Sequence, residues 1–275
     1  MIDRCSRHET EKKWAEGRLH PDSLPRAILL DLDNTILVYD AFTEECWQEA
    51  CRAFAPRIGV RDPDELVASV RVSRRLYWSD PDRSRQGRLN LLVARRAVVS
   101  MAFSRLGIEC PIGAYNLADS YGLIKERTVK PYPGAIDTLK RFRNCGVRLA
   151  LVTNGSSKLQ RGKIERFGLT AYFDVILIEG EFNLGKPDER VFMHVLERLN
   201  VAATEAWMIG DNLEDDIAPS QTLGFCGVWV DWKGEGLPKS SLVRPDRIIR
   251  TLAELQNCST SRIVHSAMVF RGHDT

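Results

Sequence analysis

The 275-residue sequence predicts an α/β fold: a parallel sheet covered by helices on both faces, interrupted after its first strand by an all-helical insertion. Three observations carry this. Short apolar runs recur along the chain and alternate with segments of helical period. Between about Val38 and Lys130 that rhythm stops, and apolar residues appear only at helical spacing. Glycines at 146 and 168 follow helical segments, where a C-terminal cap needs left-handed backbone.

Taken in order, Ala27–Leu32 reads as the first strand, an apolar run of the kind buried on both faces in a parallel sheet. Leu66, Val67, Val70 and Val72, and then the stretch Leu89–Leu106, give the insertion its helical period. Ile136–Asn144 is a helix ending at Gly146, and Val147–Val152 is the second strand. Lys158–Phe167 is a helix, Val175–Ile178 the third strand, and Glu189–Leu199 a helix that starts after Pro187 and Asp188. Ala206–Ile209 is the fourth strand, followed by a helix near Ile217–Leu223; Val228–Val230 and Arg247–Ile249 add two short strands. The expected domains are therefore a sheet core of residues 26–38 and 128–256 and a helical domain of residues 39–127 over the carboxyl edge of the sheet. Residues 1–25 are a polar N-terminal extension and 257–275 a Ser/Thr-rich tail, both expected to be loosely attached.

Composition narrows the functional classes. Lys and Arg number 39 against 37 Asp and Glu, so bulk electrostatics gives no reason to expect nucleic-acid binding. The longest apolar stretch, Leu89–Phe103, is broken by Arg95 and Arg96 and is too short to span a bilayer, so no membrane partner is expected. The N-terminus lacks the apolar core of a secretory signal. Cys5, Cys46, Cys51, Cys110, Cys145, Cys226 and Cys258 form no C-x-x-C pair, and the odd number fits a reducing cytoplasm better than disulfides or zinc.

The informative segment is Ala27–Thr35, AILLDLDNT, where an apolar strand ends in two carboxylates one residue apart. Ligands of open α/β sheets bind at the carboxyl ends of strands. Residues i and i+2 of a strand share a face, so Asp31 and Asp33 are expected to repel unless partnered, and a divalent cation is the simplest partner. Three further strand ends carry suitable groups: Thr153-Asn154-Gly155, Lys186 in Leu184–Pro187, and Gly210–Asp216. Alone, each reads as a turn, a loop or a helix cap. Together, in this order, they suit phosphoryl chemistry, which needs positive charge and fixed donors around a phosphate. Asp31 and Asp211 are the expected carboxylate ligands of Mg2+, with the Asp33 main-chain carbonyl as a third and Asp215 or Asp216 holding metal-bound water behind them.

At this point the chain resembles the haloacid dehalogenase (HAD) superfamily, on its phosphatase side. DLDNT resembles the first motif of that superfamily, the Thr of LVTNG the second, Lys186 the third and GDNLEDD the fourth. The likeness runs from about Ala27 to Leu255 and implies a Rossmann-like core with a C1-type cap. TNGSSKLQRGKIERFGLTAYFD and GKPDERVF resemble most the group holding N-acylneuraminate-9-phosphatase and pyrimidine 5′-nucleotidases. The resemblance implies that Asp31 is a nucleophile forming an aspartyl-phosphate and Asp33 the general acid and base. It further implies that Thr153 and the Asn154 backbone bind phosphate, that Lys186 holds Asp31 and phosphate, and that Asp211 binds magnesium. Asp216, ahead of Asp215, matches the aspartate before the helix. Asp33 favours ester hydrolysis over dehalogenation, because halide departure needs no proton.

A phosphomutase would carry the same four motifs, and a non-catalytic binding protein could use the same fold. A P-type ATPase would need membrane helices, and a receiver domain would place its acidic pair before the phosphorylated aspartate. The expected substrate is a small phosphate ester. Arg74, Arg75, Tyr77, Trp78, Arg85 and Arg88 are candidates for contacting its leaving group, and Tyr39 and Asp40 for a hinge. Trp229, Asp231 and Trp232 either edge the site or pack a loop, and oligomeric state is not readable.

Overall fold

The computed structural model of the protein describes residues 24–256, so the expected tail 257–275 and the extension up to residue 23 lie outside the described residues. Leu24 and Pro25, assigned to the extension from sequence, are both buried, and Leu24 packs into the sheet core.

Among the described residues, six strands form one parallel sheet: β1 (Ala27–Leu30), β4 (Arg148–Thr153), β5 (Val175–Ile178), β6 (Ala206–Gly210), β7 (Cys226–Val230) and β8 (Arg247–Ile249). Their order is β5-β4-β1-β6-β7-β8. The chain steps outward from β1 through β4 to β5, then returns to the other side of β1 for β6. That reversal leaves a crevice at the carboxyl end of β1, where the first two aspartates emerge.

The period of two along β1 explains its burial on both faces. Ile28 and Leu30 join Leu149, Leu151, Trp207, Ile209 and Phe142 in one core layer. Ala27 and Leu29 join Ala150, Val152, Met208, Phe192 and Val195 in the other. Burying a side chain of Leu or Ile size contributes about 1.5–3 kcal/mol, so β1 is a firm base for the aspartates at its end. The helix ends expected at Gly146 and Gly168 are observed, with φ of 78° and 62°.

Among the described residues, five α-helices occupy the insertion: Thr43–Phe54, Pro63–Trp78, Pro81–Leu89, Leu91–Arg105 and Pro111–Thr128. Asp62, Asp80 and Asn90 cap three of them by accepting from the N–H groups of Asp64, Arg83 and Val93. These helices bury their own core, including Trp47, Leu66, Val70, Val99, Phe103 and Leu117. The sequence shows no strand run here, yet the chain entering and leaving the insertion pairs as a short antiparallel ribbon, β2 (Leu37–Val38) with β3 (Lys130–Pro131). Two residues per strand are too few to leave a periodic signal. The helix expected near Ile217 begins earlier, as a wide turn over Leu213–Ile217, and continues as Ala218–Leu223.

Candidate active site

The four strand ends meet. The Asp31 N–H donates to the Ile209 carbonyl (2.9 Å), extending the β1–β6 ladder by one step and holding the aspartate at the crevice. The Lys186 ammonium donates to Asp31 Oδ1 (2.7 Å) and Asp216 Oδ1 (2.5 Å), with all three side chains buried. Asn154, at the end of β4, fixes the backbone of Lys186: its Oδ1 accepts from the Lys186 N–H and its Nδ2 donates to the Lys186 carbonyl, both at 2.8 Å. Gly185 permits that approach, since a Cβ there would lie 2.7 Å from Asn154 Oδ1. Gly210 does the same for Asp216, whose Oδ2 would meet a Cβ at 2.2 Å. Asp216 Oδ2 also accepts from the Asn212 N–H at 3.0 Å.

Carboxylate oxygens of Asp31, Asp211 and Asp216 lie within 4.8 Å of one another. Burial pushes Asp31 up to about 7; Lys186 pulls it back and the charge of Asp216 adds to the rise. Burial pushes Asp211 up to about 8, reinforced by Asp31 and then Asp216. Asp216 is also raised by burial, with Lys186 opposing. Lys186 is held above the usual lysine range: burial works against its charge, but Asp216 and Asp31 outweigh burial. One ammonium thus faces three crowded carboxylates, and the unbalanced negative charge with all-oxygen donors suits a hard divalent cation such as magnesium. Asp215, raised mainly by burial, is outside this cluster; its N–H caps onto Asn212 Oδ1 at 2.9 Å.

Asp33 departs from the expected picture of two aspartates sharing one need for a cation. It has its own lysine: Lys163 Nζ donates to Asp33 Oδ1 at 2.7 Å, and Gln160 Nε2 donates to Asp33 Oδ2 at 3.2 Å. The demand for a metal comes instead from Asp31 with Asp211 and Asp216. Gln160 also donates to Thr153 Oγ1 (2.6 Å) and to the Asn154 carbonyl (2.9 Å), joining the first two motifs. Sequence reasoning missed Gln160 and Lys163. Their signal was spacing: three apart on the helix Ser157–Arg166, they share the face turned toward the strand ends.

A cavity of about 720 Å3 opens above Asp33. Of the cap residues predicted to line it, Arg74, Trp78 and Arg88 do; Arg75 and Arg85 do not. Tyr77 is a correction too, being 7% exposed in the cap core and edge-on to Trp78. Arg88 bridges to the core, its Nε and Nη2 donating to the Glu179 carboxylate at 2.9 and 3.2 Å. Tyr39 and Asp40 lie where the chain enters the cap. The Tyr39 ring lies between Lys125 and Lys163, at 4.7 and 4.5 Å, and Asn34 Oδ1 accepts from the Asp40 N–H at 2.7 Å. Lys125 also donates to the Tyr39 carbonyl and Thr43 Oγ1. Both readings of the Trp229 segment hold. Trp229 and Trp232 edge the cavity, while Asp231 accepts from the N–H groups of Gly234 (3.0 Å), Glu235 (3.1 Å) and Gly236 (2.8 Å) to pack the loop.

The family model of haloacid dehalogenase-like hydrolases matches residues 25–223. A ribulose-1,5-bisphosphate 5-phosphatase of Halopiger xanaduensis is 31% identical over 83% of this chain and 97% of its own length. A phosphoserine phosphatase of Thermus thermophilus is 40% identical, over 53% of this chain; the match spans 57% of that protein. A pyrimidine 5′-nucleotidase of Escherichia coli, of the group the sequence resembles, is 27% identical over 83% of this chain and 95% of its own. Among solved structures, the HAD-hydrolase YfnB of Bacillus subtilis, bound to magnesium, superposes with a TM-score of 0.65 at 24% identity, covering 85% of this chain and 97% of that one. That likeness supports the fold. Among the described residues, no helix is long and apolar enough to cross a membrane.

Proposed function

The chain belongs to the haloacid dehalogenase-like hydrolase family, and we propose that within it the protein is a magnesium-dependent phosphatase of small phosphomonoesters, working through an aspartyl-phosphate on Asp31. The observation that carries this reading is Lys186 bridging Asp31 and Asp216 beside Asp211, with Asp33 separately held at the same edge. Named phosphatases among the relatives, two of them aligned over nearly their whole length, support it.

In the proposed reaction an Asp31 carboxylate oxygen attacks phosphorus while the bond from phosphorus to the leaving oxygen breaks. Asp33 gives a proton to that oxygen. It then takes one from a water whose oxygen attacks phosphorus; the bond to Asp31 breaks and inorganic phosphate leaves. Lys163 and Gln160 aim Asp33, and an incoming phosphate competes for Lys163, which frees Asp33 to carry the proton. Lys186 orients Asp31, and Thr153 with the Asn154 backbone receives the phosphoryl oxygens. Asp31, Asp211 and the Asp33 main-chain carbonyl would hold magnesium, with Asp216 behind them, and the ion would supply charge that neutralises the phosphate. Residues 39–127 act as the cap, closing over substrate and excluding water. Buried free thiols at Cys46 and Cys51 fit a cytoplasmic setting.

The test is phosphate release from p-nitrophenyl phosphate with and without Mg2+, wild type beside Asp31→Asn. Metal-dependent release abolished by the substitution supports the reading. Release that ignores both metal and substitution sinks it.

A further inference from the structure

Among the described residues, Arg95 is the one buried or half-buried cation lining the cavity that has no carboxylate partner. Arg74 is 3.7 Å from Glu44, Lys125 is 3.7 Å from Asp40, Arg88 is paired with Glu179 and Lys163 with Asp33. A partly buried guanidinium without a counter-charge costs free energy that an anionic ligand would recover.

The guanidinium is also held in place. It lies over the ring of Tyr121, 5.3 Å from the centroid, and Tyr121 in turn stacks on Trp47 at 3.7 Å with planes 8° apart. Gly122 makes room for it: a Cβ there would lie 2.8 Å from Arg95 Nη1. Trp47, which also lines the cavity, has a buried indole N–H without an acceptor. Arg95, Tyr39 and Asp33 line the same cavity, so an anion held by the arginine shares one chamber with the chemistry.

We infer that Arg95 binds a second anionic group on the leaving part of the substrate, carboxylate or phosphate, so that the substrate class is a small phosphomonoester bearing two oxyanions. The planar fork of arginine matches either oxyanion. This inference rests on the phosphatase reading above.

The test uses two matched pairs: phosphoglycerate against glycerol phosphate, and fructose bisphosphate against fructose monophosphate. In wild type the charged member of at least one pair is favoured by about tenfold or more in kcat/KM, the scale of a charge-assisted hydrogen bond, and the pair that responds tells carboxylate from phosphate. Arg95→Gln and Gly122→Ala each bring that ratio to within about threefold. Alanine is the better helix former, so Gly122→Ala displaces the guanidinium without loss of helix. No preference in wild type, or a preference that survives both substitutions, overturns the inference. Calorimetric binding of the same four esters to the Asp31→Asn protein separates the two readings if turnover is absent. A preference for the charged members, lost with Arg95→Gln, keeps the anion subsite and overturns the phosphatase activity; equal or absent binding overturns the subsite.

Discussion

Arg88, at the end of a cap helix, makes a two-point ion pair with Glu179, whose carboxylate also accepts from the Gly155 N–H at 2.9 Å. Glu179 is 3% exposed, so the cap supplies the counter-charge for an acid buried beneath the Thr153–Gly155 turn. One carboxylate thus ties the helical insertion to that turn.

Removing the arginine leaves Glu179 buried with one donor. Arg88→Ala is expected to cost about 1.5–3 kcal/mol, and much less in a Glu179→Gln background, where no charge is stranded. Urea unfolding of the two single variants and the double variant gives the coupling. Kinetics of Arg88→Ala should show a raised KM, as a loosened cap holds substrate less well.

Lys186 carries the electrostatics of the core site. Lys186→Met strands Asp31 and Asp216 against Asp211, and breaking a buried pair of this kind costs about 3–5 kcal/mol. Denaturant unfolding measures the loss. Adding Asp216→Asn should recover part of the stability but none of the activity, because it removes one stranded charge without restoring the cation that orients Asp31.

Magnesium should stabilise the folded protein, because its site is assembled only there. At roughly 100 times Kd the gain is about 2.7 kcal/mol, read as a shift in Tm. In Asp211→Asn the gain disappears. Without metal that variant should be at least as stable as wild type, since it removes one of three crowded carboxylates whose charge the fold resists.

Much of the site is legible in the sequence. Asp31, Asp33, Thr153, Lys186 and Asp211 each stand at or beyond the end of an apolar run, and a parallel sheet brings such ends to one edge whatever the loops do. The preference for Asp216 over Asp215 also fits the geometry, since Asp216 is the one beside Lys186. Contacts between distant surfaces are not legible: Arg88 and Glu179 are 91 residues apart, and neither lies in a motif. The choice of Tyr77 as a cavity residue failed for a physical reason. Leu66, Val70, Ser73 and Tyr77 follow one another at helical spacing on the buried stripe, so its ring belongs to the cap core.

Transfer of the phosphoryl group to Asp31 can be read by mass spectrometry of acid-quenched protein. Wild type and Asp31→Asn would be incubated with Mg2+ and p-nitrophenyl phosphate, quenched and digested. The expected result is a phosphoryl group on the wild-type peptide that carries Asp31, and neither adduct nor turnover in Asp31→Asn. Hydrolysis that persists in Asp31→Asn, with no phosphoryl adduct on Asp31 in the wild type, would contradict it.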